Sequence, residues 1–141
     1  MITFNHPHNV DLSGIELEEG ECTFLYQPDL GPHVEVLVKE LLEKLGDDWE
    51  LTELGTSPWM HVMRGPVDGI GWHNEGTRED DYSLVYAMND SSAALEFEDC
   101  VSRHKRGRAV VFKSSTQHRV QRLDSHEYRY ALAFLMHGGS E

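Results

Sequence analysis

Cysteine is scarce: Cys22 and Cys100 are the only two in 141 residues. Two thiols so far apart build neither a disulfide scaffold nor a cysteine-based zinc site, and a reducing compartment suits the chain. Long apolar runs are also missing. No stretch approaches the ~20 apolar residues of a membrane span, and the opening MITFNHPHNVDLSG lacks the basic patch and apolar core of a secretory signal. The expectation is a soluble, cytoplasmic protein. Basic residues are few, 12 against 25 acidic ones, for a net charge of −13. The deficit is local: residues 1 to 60 carry 2 basic and 13 acidic side chains, and residues 61 to 141 carry 10 and 12. A chain so acidic repels duplex nucleic acid over long range. The exception is Val101 to Arg122, where Arg103, Lys105, Arg106, Arg108, Lys113, Arg119 and Arg122 have no acidic neighbour. That strip reads as a solvated strand-and-loop face, with attraction of an anionic small molecule as the competing role.

There is no internal repeat, low-complexity tract or linker. A chain of this length forms one domain able to bury about 70% of its unfolded surface. Residues 1–56 read as strand-and-helix support and 57–136 as the functional barrel. A strand near Cys22 to Tyr26 stops at Gln27-Pro28-Asp29, where proline removes a ladder donor. From Pro32 to Leu45, Val34, Leu37, Val38, Leu41, Leu42 and Leu45 recur at three and four, Pro32 suits a first turn and Gly46 a left-handed stop. This is a helix with one face for a sheet.

Beyond it the period becomes two. Short segments at Trp49–Leu54, Trp59–Arg64, Ile70–Asn74, Tyr82–Met88, Ala93–Phe97, Arg108–Lys113, His118–Leu123 and Tyr128–Met136 are separated by turn residues. The pattern predicts a mainly β fold with one packed helix, a jelly-roll or double-stranded β-helix barrel. The polar segment 76–81 is a candidate lid.

Within this run stand His73-Asn74-Glu75, His118 and Arg129. Alternate strand residues share a face, so His73 and Glu75 can grip one ion while Asn74 and Trp72 point outward. Two imidazoles and a carboxylate on one side of Fe(II) leave the opposite positions open, the facial arrangement of oxygen-activating iron. An isolated His-x-Glu is common by chance, and spacing permits rather than proves that His118 joins the pair.

The segments MRGPVDGIGWHNE, YSLVYAMND, LEFED, GRAVVFKSSTQHRV and YRYALAF add context. Together they resemble the 2-oxoglutarate- and Fe(II)-dependent dioxygenases, nearest the prolyl 4-hydroxylase-like branch, over about residues 57 to 136. The resemblance implies that His73, Glu75 and His118 ligate the metal and that Arg129 binds the distal carboxylate of 2-oxoglutarate. A guanidinium in an otherwise apolar strand is suited to that task, because it stays charged and offers two parallel donors. Glu75 replaces the commoner aspartate, Met63 stands where a co-substrate-binding tyrosine is usual, and Ser92-Ala93-Ala94-Leu95 replaces a Gly-Gly pair. His61 shares the inward face of Met63 and is the candidate co-substrate donor, against a core histidine satisfied by protein. Tyr86 is the candidate second donor to the distal carboxylate.

What the resemblance implies is a dioxygenase using Fe(II), 2-oxoglutarate and O2, with ascorbate as the candidate reductant, that hydroxylates an unactivated C–H bond. A prolyl residue in a peptide or protein is the first-choice substrate; another amino-acid side chain or a free small molecule is the alternative. Nucleic-acid demethylation ranks lower, since no aromatic-plus-basic groove for a flipped base is evident. A cupin-like metal module without oxygenase activity would show two histidines at i and i+2, which is not the spacing here. An interaction domain on a dead barrel would not need the intact triad. Of the other histidines, His6 and His8 fall near an expected frayed start, and His33, His104, His126 and His137 read as solvated.

Overall fold

The predicted helix forms as α1, Pro32–Leu45, with Pro32 in its first turn. Gly46, at φ 120°, ends it and donates its N–H to the Leu42 carbonyl at 3.2 Å. Val34, Leu37, Val38 and Leu41 are buried. Each such side chain contributes roughly 1.5–3 kcal/mol by leaving water, so this helix is held by its face rather than its caps.

The computed structural model describes residues 1–27, 29–52, 57–76 and 81–138. Among them are β1 (Ile2–Asn5), β2 (Cys22–Tyr26), β3 (Trp49–Leu51), β4 (Trp59–Arg64), β5 (Ile70–His73), β6 (Asp81–Ala87), β7 (Ser91–Phe97), β8 (Val101–His104), β9 (Arg108–Lys113), β10 (His118–Val120) and β11 (Tyr128–Gly138). They build two antiparallel sheets. The larger runs β1-β9-β6-β11-β4-β2, with β3 paired to the end of β11; the smaller runs β5-β10-β7-β8. This is a double-stranded β-helix with one packed helix, as the changing period predicts. The candidate lid falls largely on 77–80, and the end of the segment expected at Trp49–Leu54 on 53–54, both outside the described residues.

Alternation divides the larger sheet. Met60 and Val62 of β4, Leu84 and Tyr86 of β6, Ala109 and Val111 of β9, and Tyr130, Leu132, Phe134 and Met136 of β11 join the helix in one core. Met63, Val110 and Phe112 turn the other way, toward Ala93, Leu95 and Phe97 of β7 and Val120 of β10. The β4–β5 connection delivers His73 to this second space. At Gly69 an added Cβ would overlap the carbonyl oxygen of Val120; only glycine lets the turn pass so close to β10.

Two strands were not expected from the sequence. Ile2–Asn5 pairs with Val111–Arg108, so the start is a sheet edge rather than a frayed end. His8 is buried, its Nε2 2.7 Å from the Met88 carbonyl oxygen. Val101–His104 pairs with β7, hidden in the sequence because Val101 and Arg103 face solvent. His104, expected to be solvated, is buried with Nε2 donating to Tyr130 O at 3.0 Å and Asn89 Oδ1 at 3.2 Å. Burial first, then the Arg129 charge, pushes its pKa well below the ordinary value. The basic strip is partly neutralised: Arg119 pairs with Glu96 at 3.0 Å, and Arg122 with Asp68 and Asp124. No described helix is long and apolar enough to cross a membrane.

Candidate metal centre

His73 ends β5, His118 opens β10, and the two are register partners. Strand pairing sets their rings 4.3 Å apart between centroids. Glu75 lies just past β5, its backbone N–H held by Ser114 O at 2.8 Å. Its Oε1 comes to 2.9 Å from His73 Nε2 and 3.3 Å from His118 Nε2. One ligand atom from each of the three lies within 4.8 Å of the others. The local pairing therefore closes what spacing left open. Asn74 and Trp72 are exposed as alternation predicts, with the Arg119 guanidinium 5.1 Å from the Trp72 ring centroid.

Hydrogen bonds behind the rings determine what they present. His73 Nδ1 is 2.8 Å from Gly71 O, and His118 Nδ1 2.9 Å from Thr116 O. A carbonyl oxygen only accepts, so each Nδ1 carries a hydrogen and each ring turns its Nε2 to Glu75. Three lone-pair donors so close require a shared cation. A proton can serve: the hydrogen bond to Glu75 raises the His73 pKa, and those from His118 and then His73 hold the Glu75 carboxyl down at about 2. A divalent metal satisfies all three donors at once, and backbone carbonyls behind the ligand imidazoles are the usual support for one. The donor set thus fits Fe(II), with one face left for exogenous ligands. His118 is 3% exposed and wedged against Phe112, with ring centroids 4.9 Å apart; its position is fixed by packing as well as pairing.

The same cavity holds Arg129, lined also by Val85, Leu95, Ala131 and Ala133. Arg129 is 1% exposed, and its Nε donates to Ala93 O at 2.9 Å. Its Nη1 and Nη2 have no hydrogen-bond partner among the described residues. Burial lowers its pKa to about 10, which leaves it charged near neutrality. A buried cation with two unpaired donors costs several kcal/mol unless an anion joins it. A carboxylate accepting from both groups at once is the anion whose geometry matches such a guanidinium.

His61 also lines the cavity, stacked on Phe24 with centroids 4.6 Å apart and planes 17° from parallel. Its pKa falls to about 3 through burial, then Arg129, then His73. The ring is neutral across the working range. Tyr86 is not brought to the site. Leu84, Tyr86 and Met88 face the helix core, Val85 takes the cavity side, and the Tyr86 hydroxyl donates to His6 O. The one-residue difference in register reverses the face. Phe24 and Trp59, which also line the cavity, were not expected there. Trp59 shares the face of His61 by alternation, whereas for Phe24 the phase of its strand against the second sheet was not legible.

No family model and no curated protein matches the sequence. Solved structures do match in three dimensions. A viral collagen prolyl hydroxylase from Paramecium Bursaria Chlorella virus-1, solved with 2OG, superposes with a TM-score of 0.62 at 13% identity, over 85% of this chain and 80% of that one. A Trichoplax adhaerens prolyl hydroxylase in complex with a hypoxia inducible factor oxygen degradation domain peptide fragment gives 0.56 at 17% identity, over 94% and 70%. A 2OG-Fe(II) oxygenase family oxidoreductase from Burkholderia pseudomallei gives 0.54 at 15%, covering 78% of this chain and 59% of its own. At these identities the likeness is one of fold, and the chain has the double-stranded β-helix architecture that these prolyl hydroxylases and this oxygenase share.

Proposed function

We propose that the chain is an Fe(II)- and 2-oxoglutarate-dependent dioxygenase that hydroxylates an unactivated C–H bond, with a prolyl residue of a peptide or protein as first-choice substrate. The observation that carries this reading is the pairing, in one cavity, of three converging lone-pair donors with a buried guanidinium whose two Nη groups have no partner among the described residues. A structural metal site would account for the first and leave the second unexplained.

His73 and His118 would hold the metal through Nε2, and Glu75 through its carboxylate. When bound, Fe(II) and 2-oxoglutarate supply the oxidising chemistry: O2 delivers one atom to succinate and one to the substrate as hydroxyl, with release of CO2. Arg129 binds the distal carboxylate through its free donors, its orientation set by the Nε bond to Ala93. A charge-assisted pair of this kind, two parallel bonds in a dry site, fixes both position and direction. Ala131 and Ala133 are small enough to leave room in front of the guanidinium. His61 adds a neutral N–H donor beside it, held in place by the Phe24 ring. Phe97 and Phe112 pack the flank of His118 and exclude water there.

Anaerobic addition of Fe(II) and then 2-oxoglutarate should produce a weak visible charge-transfer band. Candidate peptides and extract proteins should gain the mass of one oxygen atom only when both are present. No band, and no iron-dependent succinate under air, would reject the reading.

A further inference from the structure

Strand β2 stands at the end of the larger sheet and pairs, among the described residues, with β4 alone. Its alternate residues divide: Leu25 packs on the helix core, whereas Phe24 and Tyr26 look to the cavity side and remain 41% and 39% exposed. The two rings are stacked, with centroids 6.5 Å apart and planes 14° from parallel. Phe24 continues the stack inward to His61, at 4.6 Å. A line of π-faces therefore runs from the wall of the metal cavity out along a free sheet edge. The surroundings are acidic on balance: beside the start of the strand Glu16, Glu18 and Glu21 outnumber the single Arg64, and Glu19 pairs with His126 at 2.7 Å. Residues 1 to 38 contain no lysine or arginine and seven acidic side chains: Asp11, Glu16, Glu18, Glu19, Glu21, Asp29 and Glu35. Natural edges are usually blunted with lysine; this one carries none.

We infer that the free edge of β2 is the docking site for an extended, basic polypeptide, which adds as a strand with Phe24 and Tyr26 beneath one of its residues. The inference rests on the oxygenase reading only for what happens next, the presentation of that residue to the cavity. Backbone bonds along an edge supply affinity without sequence, and alternate side chains supply selectivity. A prolyl residue is tolerated in the added strand, where its missing N–H faces solvent. Lysine or arginine on the same segment meets the acidic surroundings, which also steer its approach. A second copy of this chain is a poor occupant, because two such acidic edges repel.

The test is anisotropy of a labelled proline-containing peptide bearing lysines, and of the same peptide with glutamate in place of lysine, on the full chain. The lysine peptide should bind at least about tenfold more tightly, with affinity falling steeply as salt is raised. Tyr26→Ser should weaken it by about fivefold or more, the loss expected for one stacking contact. Equal binding of the two peptides, unchanged binding to the Tyr26→Ser variant, or sedimentation showing a dimer that this substitution dissolves would each overturn the inference. Iron-dependent succinate formation without peptide is measured alongside. Its absence with peptide binding intact would reject the metal chemistry and leave the edge; its presence without charge-selective binding would do the reverse.

Discussion

The two faces of the larger sheet follow opposite rules although the same strands make both. On β11, Tyr130, Leu132, Phe134 and Met136 join α1 in an apolar core, while Arg129, Ala131 and Ala133, one residue out of phase, line the cavity of the His73, Glu75 and His118 cluster. The helix side fills its space with large side chains. The cavity side packs Met63, Val110 and Phe112 toward the second sheet, keeps His61, His118 and Arg129 buried, and leaves two guanidinium donors without a partner among the described residues. Stability and chemistry are thus separated by a half-period of the strand rather than by distance along the chain. A protein can carry an uncompensated charge within one layer because the layer behind it is well packed.

The largest expected effect is on the cavity side. His118→Ala should reduce iron-dependent succinate formation to background while thermal unfolding stays close to that of the parent; unchanged turnover would remove His118 from the ligand set. Arg129→Met separates the two faces further. Replacing an unpaired buried charge by an apolar side chain should stabilise the protein by about 1–4 kcal/mol, and should weaken 2-oxoglutarate binding by about 2–5 kcal/mol. Urea unfolding and co-substrate titration must move in opposite directions. Leu41→Ala is the converse, a loss of about 2–5 kcal/mol of stability from the helix core with the 2-oxoglutarate affinity of the folded fraction retained. If affinity fell as far as stability, the faces would be coupled.

Acid should weaken the fold through buried neutral histidines. His61 is lowered to about 3, and His8 and His104 are lowered too. Between the folded and unfolded pKa values the unfolded chain binds more protons, so stability rises with pH and is lost as pH falls below about 6.5, by up to ~1.4 kcal/mol per unit for each group. Urea midpoints across that range check the sign, and His104→Gln should flatten the slope. The smallest effect belongs to Tyr86→Phe: a loss of about 1 kcal/mol from its bond to His6, with no change in 2-oxoglutarate affinity.

Much of this was legible in the residues because it is local. The helix followed from apolar spacing and its Pro32 and Gly46 ends, and eight strands from period two. His73 and Glu75 followed from their shared face. Where reading failed, the cause was non-local. Ile2–Asn5 and Val101–His104 carry little alternation and become strands by pairing with β9 and β7. His8 and His104 look like loop histidines until Met88, Asn89 and Tyr130 close around them. For Tyr86, alternation was evident but its phase was not, and the side chain took the opposite face.

By itself the sequence determined which residues could serve: two histidines in strands with a glutamate just past one of them, an arginine in an apolar run, and a helix with one buried stripe. Tertiary structure decided which of them meet. His118 reaches His73 only because β10 pairs with β5, and Arg129, in one cavity with Ala131 and Ala133, is buried with two donors that have no partner among the described residues. Periodicity is a property of neighbours in the chain. Pairing and burial belong to residues far apart in it, which no local pattern encodes.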